Sequence, residues 1–166
     1  MTYDSAMAGL VAERGVPVCL MHAQGDPATM QDDPRYDDVV LDVFDWLSER
    51  ISAAQSAGIA RDKIIVDPGI GFGKTLQHNV SLLQNLSIYH DLGFPILLGA
   101  SRKRFIGSIG QEPQADRRGP GSVAVALAGV AQGVQMSALD QPLRAWALVH
   151  LPQAWVLHLS RWLGRL

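Results

Sequence analysis

Asp67-Pro68-Gly69-Ile70-Gly71-Phe72-Gly73-Lys74 follows the short apolar run Ile64-Ile65-Val66. The run has the length and β-branched composition of a strand buried on both faces. Pro68 cannot donate to a sheet ladder and closes the strand. Asp67 is thereby placed at the carboxyl end of a strand, where parallel α/β folds carry their chemistry. Glycine at every second position leaves a loop with little side-chain bulk, which a flat ligand can approach closely.

The same grammar recurs on both sides. Val16 to His22 reads as a strand, with Pro17 tolerable only near its start. A polar loop over 23–33 follows it, and Tyr36 to Ala57 carries apolar residues at helical spacing, with Gly58 as the stop. After the glycine loop a helix is predicted from about His78 to Leu92. Pro95 to Gly99 reads as a third strand, followed by Ser101-Arg102-Lys103, a polar segment to Pro120 and an Ala/Val-rich helix over Gly121–Gln132. A helix over Ala6–Arg14, stopped by Gly15, precedes all three units. Strand, loop and helix in rotation predict βα units on a parallel sheet, with every strand-end loop on one face. Three strands fall short of a closed (β/α)8 barrel, which needs about 250 residues.

Composition excludes several classes. With 166 residues, 48% apolar and 18% charged, the chain suits one globular domain rather than disorder. A net charge of −2 offers nucleic acid no basic footprint. No apolar run approaches the roughly 20 residues of a membrane span, and no secretory leader opens the chain, so a cytoplasmic location is the expectation. The single Cys19 forbids an internal disulfide and is expected to lie buried in its strand.

Three strand-end loops converge on one face: Met21-His22-Ala23-Gln24-Gly25, Asp67 to Lys74, and Gly99-Ala100-Ser101-Arg102-Lys103. A lone strand-end Asp is commonly a turn former or helix cap, and a Ser-Arg-Lys run can be a solvated cap. Both at matching positions of neighbouring units argue for a shared site. Gly73-Lys74-Thr75 invites a phosphate-loop reading, but that pattern needs its first glycine where this chain has Pro68. No His pair at metal-binding spacing and no Gly-x-Ser-x-Gly elbow occurs.

These three motifs, in this order and at these separations, resemble bacterial dihydropteroate synthase over about residues 3 to 135. The resemblance implies a partial (β/α)8 TIM barrel, about the carboxyl-terminal half, in a soluble and commonly homodimeric protein. It implies a transferase of folate synthesis that joins 6-hydroxymethyl-7,8-dihydropterin diphosphate to 4-aminobenzoate, releases diphosphate, uses Mg2+ and is the sulfonamide target. Carried over residue by residue, Asp67 matches the pterin-binding Asp and Lys103 the Lys on the pterin carbonyl side. Met21, Gly71 and Gly99 match pterin-pocket walls, and Phe72, Ser101 and Arg102 the aminobenzoate side. The residue types suit the task, since a carboxylate accepts two hydrogen bonds from the amino and ring N–H edge of a pterin.

The departures are as specific. The family's amino-terminal magnesium-binding loop has no counterpart here, so no metal ligand is assigned in this chain. Ala138 and Asp140 stand where the family's last strand carries an Arg and a His for diphosphate. Beyond Gln135 the composition changes: three of four Trp follow Arg144, and no Lys follows Lys103. The expectation is therefore a barrel portion over 1–135 and a divergent helical tail over 136–166, read as out of frame, with little activity for the chain alone. Two alternatives stand beside it: a non-catalytic or split-half pterin-binding fragment, and a pterin-dependent methyltransferase relative. The second has no use for Ser101-Arg102-Lys103.

Overall fold

The structure is a computed structural model that describes residue 4 and residues 6–139. Helix α1 (Met7–Arg14) leads into strand β1 (Val18–Met21), helix α2 (Val39–Ser56) and strand β2 (Ile64–Asp67). Helix α3 (Leu76–Gln84), strand β3 (Leu97–Leu98), helices α4 (Arg104–Gly110) and α5 (Gly119–Ala131), and strand β4 (Met136–Ser137) complete it.

All strand pairings are parallel. β1 pairs with β2 in a register that sets Met21 beside Asp67, and β3 pairs with β4 through Leu97 with Met136 and Leu98 with Ser137. Among the described residues, a bridge from Val66 to Ile96 joins the two pairs. Neighbours in sequence are thus neighbours in space, the order expected of successive βα units. The sheets are small, two-stranded and not closed. The pairing of Met136–Ser137 carries the sheet past Gln135, the boundary expected from sequence. Most of the divergent tail, residues 140–166, lies outside the described residues.

Each helix is built by identifiable signals. Asp38 caps α2, its side chain accepting from the Val40 and Leu41 amides, which starts the helix later than its periodicity suggests. Val39, Val43, Leu47, Ile51 and Ala54 form its buried stripe. Thr75 and His78 cap α3 reciprocally. That helix stops at Gln84 instead of running to Leu92. Asn85 turns its side chain back to the Ser81 carbonyl, and the chain continues as a 3-10 segment over Leu86–Leu92 that buries Leu86 and Tyr89. Pro120 sits in the first turn of α5, where its missing N–H costs nothing. The short α4 falls where only a polar segment was expected, because Gly107 and Gly110 mask its helical pattern while Phe105 and Ile106 are buried.

The two faces of the sheet differ. Leu20, Ile64, Val66, Ile96 and Leu98 are buried beneath the helices. The opposite, inner face is barer: Ile65 and Asp67 are covered, Met21, Leu97 and Met136 are half-buried, and Cys19 is exposed. This corrects the expectation of a buried strand cysteine. β1 is an edge strand among the described residues, and Cys19 lies on its uncovered side.

Candidate active site

Asp67 ends β2 with only 5% of its surface exposed. One carboxylate oxygen, Oδ1, accepts from the Gly69 amide at 2.7 Å. The other, Oδ2, is directed toward Gly99, where an added Cβ would stand 3.4 Å away. Burial pushes the carboxyl above the ordinary Asp range, and the Gly69 hydrogen bond and the charges of Lys103 and Lys74 pull back against it. An acid held in this way with one oxygen unspent is an acceptor for a ligand's N–H groups.

The glycine loop beside it is held from outside. Its glycines have positive φ at 69, 71 and 73, and every carbonyl from Gly69 to Gly73 accepts from a side chain. Lys74 takes Gly69 and Phe72, Lys103 takes Ile70, Gln31 takes Gly71, and Tyr36 takes Gly73. The buried Asn79 accepts from the Gly71 amide at 2.7 Å. The loop also lies directly on the chain leaving β1. A Cβ at Gly69 would fall 1.7 Å from the His22 carbonyl oxygen, and one at Gly73 would fall 2.4 Å from that of Gln24. Glycine is obligatory at both for space as well as backbone angle.

Lys103, the N-cap of α4, crosses this loop from the segment that follows β3. Its ammonium lies 4.1 Å from the Phe72 ring centroid, a cation–π contact. Its alkyl chain fills the space that a side chain at Gly71 would need, with Cδ 3.0 Å from the ideal Cβ. Gly71 thus clears a path for Lys103. Met21 shares the inner face with Asp67 as its register partner.

Ser101 and Arg102 sit in the turn just before Lys103. Arg102 has φ +56°, unusual for a residue with a side chain. Its amide donates to Ser122 Oγ at 2.9 Å, and its carbonyl accepts from Arg118 Nη1 at 3.0 Å. Arg118 spends its other donors on the Glu112 and Pro113 carbonyls. Ser101 Oγ is buried without a hydrogen-bond partner, an orphaned hydroxyl in the turn before Lys103.

Sequence reasoning named Asp67, Lys103 and their neighbours. It did not assign Gln31 and Tyr36, whose contacts to the loop span 40 and 37 residues, Asn79, which reaches back 8 residues from α3 to the Gly71 amide, or Arg118, which braces the unrecognised short α4. Lys74 and His22 stood inside quoted motifs, yet nothing in the spacing said that they touch.

Residues 1–140 match the family model described as pterin binding enzyme. The chain belongs to that family. Its relatives include the dihydropteroate synthase of Escherichia coli K12, 46% identical over 125 residues, which are 75% of this chain and 44% of that protein. A solved dihydropteroate synthase from Thermus thermophilus in complex with 4-aminobenzoate superposes with a TM-score of 0.82 at 38% identity, covering 95% of this chain and 61% of that one. Another, from Xanthomonas albilineans in complex with 7,8-dihydropteroate, gives 0.76 at 38% identity, covering 90% and 56%. The chain spans about half the length of these relatives. Family membership rests on the stretch that holds all three strand-end loops.

Proposed function

We propose that this chain carries the pterin-binding portion of a dihydropteroate synthase. The reaction is the condensation of 6-hydroxymethyl-7,8-dihydropterin diphosphate with 4-aminobenzoate. The observation that carries the reading is the convergence on one glycine loop of Asp67, at the end of β2, and Lys103, at the start of α4 after β3. In this reading the free Asp67 oxygen and its partner accept from the 2-amino and ring N–H edge of the pterin. Lys103 donates to the pterin carbonyl side, and Met21, Gly71 and Gly99 leave room for the flat ring.

Phe72, Ser101 and Arg102 border the aminobenzoate. The orphaned Ser101 hydroxyl supports that side, because a buried hydroxyl without a partner gains most when a ligand carboxylate arrives. The chemistry is attack by a neutral aromatic amine on the pterin methylene. A carbon–nitrogen bond forms as the carbon–oxygen bond to diphosphate breaks, and the amine then loses a proton. Positioning and stabilisation of leaving-group charge matter more here than a strong base.

Several finer readings belong to the same proposal: a partial (β/α)8 barrel, a boundary near residue 135, an out-of-frame tail, a cytoplasmic location and homodimerisation. Magnesium fits less well. Among the described residues no three His, Cys, Asp or Glu side chains gather to hold a metal, and none of the proposed roles passes through one. Among the same residues, no helix is long and apolar enough to cross a membrane.

The test is calorimetric titration of the full chain with a dihydropterin, alongside an assay for diphosphate release with 4-aminobenzoate. Dihydropterin binding that Asp67→Asn weakens by about 10- to 100-fold, with little turnover, is the expected result. No binding by the parent chain contradicts the reading. A second reading, a fragment that binds pterin but turns over only when joined by further βα units, is favoured by the exposure of Cys19 on the inner face. Restoration of diphosphate release on co-expression with the amino-terminal half of a relative distinguishes it.

A further inference from the structure

Lys74 ends the glycine motif, and the pterin reading gives it no task. Its side chain is nevertheless among the most buried charges in the chain, at 3% exposure. An ammonium has three hydrogens, and here each has one acceptor: His22 Nδ1 at 2.9 Å, the Gly69 carbonyl at 3.0 Å and the Phe72 carbonyl at 3.1 Å. Donation to Nδ1 fixes His22 as the neutral tautomer with its proton on Nε2. His22 is itself buried and packs edge-on against Trp46 of α2 at 5.1 Å between ring centroids. Lys74 therefore connects both ends of the glycine loop to the exit of β1, and through His22 to a helix of the scaffold.

We propose that Lys74 is a positioning residue of the pterin site: its ammonium pins the loop carrying Phe72 to the end of β1 and, bonded to the Gly69 carbonyl while Asp67 holds the Gly69 amide, sets its positive charge one peptide away from that acid.

The groups that face this ammonium are few. Asp67 attracts it, Lys103 repels it, the Tyr36 ring centroid lies 5.9 Å away, and His78 feels its charge from α3. Burial pulls Lys74 down to about 7, while Asp67 acts to hold the proton on. Lys74 in turn favours the ionised form of Asp67, which burial disfavours. The two effects have separate signatures. A pin that only braces the loop alters local opening, and a charge one peptide away from the acid alters its titration. The substrate side of the inference rests on the pterin reading, while the pin and the charge can be read in the ligand-free chain.

The experiment compares the full-length parent chain with Lys74→Met and His22→Leu. Three quantities are measured: amide hydrogen exchange over residues 69–73, the Asp67 carboxyl titration by carbon NMR, and 7,8-dihydropterin affinity. Expected for Lys74→Met are about tenfold or faster loop exchange, an upward shift of the Asp67 midpoint and about tenfold or weaker pterin binding, from loss of charged hydrogen bonds. His22→Leu, which removes one acceptor but keeps the charge, is expected to speed loop exchange and leave the Asp67 midpoint in place. Parent-like loop exchange in both variants, or an unmoved Asp67 midpoint in Lys74→Met, overturns the proposal. If Lys74→Met fails to fold, parent-like loop exchange in His22→Leu overturns it, and global unfolding of both does so too, since the lysine is then a core element. A parent chain that binds no dihydropterin while both ligand-free effects appear overturns the pterin reading and upholds the pin.

Discussion

Asp67 and Lys103 meet through the loop between them rather than as an ion pair. Asp67 Oδ1 accepts from the Gly69 amide at 2.7 Å, and Lys103 Nζ donates to the next residue's carbonyl, that of Ile70. Each charge has part of its hydrogen-bonding capacity committed to the loop and part left over. An ion pair would cancel the two charges, whereas the intervening peptides hold each on its own loop contact, which the proposed pterin reading requires. Substituting the acid removes charge and one acceptor oxygen together. Asp67→Asn is expected to weaken dihydropterin binding by about 10- to 100-fold, the worth of one or two charge-assisted hydrogen bonds, measured by calorimetry.

Gly71 and Gly69 separate pocket shape from folding. A methyl at Gly71 meets the flexible Lys103 chain at 3.0 Å, so Gly71→Ala is expected to push Lys103 aside. Pterin affinity falls several-fold while stability drops by only about 1–2 kcal/mol, mostly from the positive φ. Gly69→Ala meets a rigid carbonyl and is expected to cost more than about 3 kcal/mol or to prevent folding. Gly15→Ala, with a comparable φ and open space around it, serves as the control at about 1 kcal/mol. Urea denaturation of the three variants checks the order.

His22 sets an acid limit on stability. Burial first, and then the charge of Lys74, lower its pKa from 6.5 to about 3. The unfolded chain takes up this proton near pH 6.5, whereas the folded chain resists it until about pH 3. Stability is therefore lost as pH falls through that window, by an amount on the order of a few kcal/mol. Urea midpoints at pH 7 and pH 4 are expected to differ more for the parent than for His22→Asn, which has no imidazole to protonate. Equal differences contradict the assignment.

Arg118 braces the turn that presents Ser101 and Arg102. Its guanidinium holds three carbonyls, one of them that of Arg102 in its positive-φ conformation. Arg118→Met is expected to weaken 4-aminobenzoate or sulfonamide binding by about tenfold and to leave dihydropterin affinity within about threefold, since Asp67 stands on another strand. Paired titrations with the two ligands read the split.

The sequence made the repeating units legible because each strand ends in a proline, glycine or polar break and α2 has a one-sided apolar stripe. Asp67 and Lys103 stand out in the sequence as a carboxylate ending one strand and a cation in the loop after the next, and the structure brings both onto the glycine loop. The clamps were not. Gln31 and Tyr36 reach the glycine loop from a polar stretch with no periodicity, and Arg118 acts through backbone carbonyls, which carry no sequence signature. α3 ends before the apolar pattern does because Asn85 breaks the helix and the chain continues as a 3-10 segment. Cys19 is exposed because burial of a strand residue depends on what covers the sheet, not on the strand itself.

The most direct test of the site is a crystal structure of the chain with 7,8-dihydropterin bound. The expected result is one ring lying between β2 and β3, with Asp67 carboxylate oxygens at hydrogen-bond distance from its amino and ring N–H edge and Lys103 Nζ at its carbonyl. A pterin bound elsewhere, or one that contacts only one of these two side chains, contradicts the account.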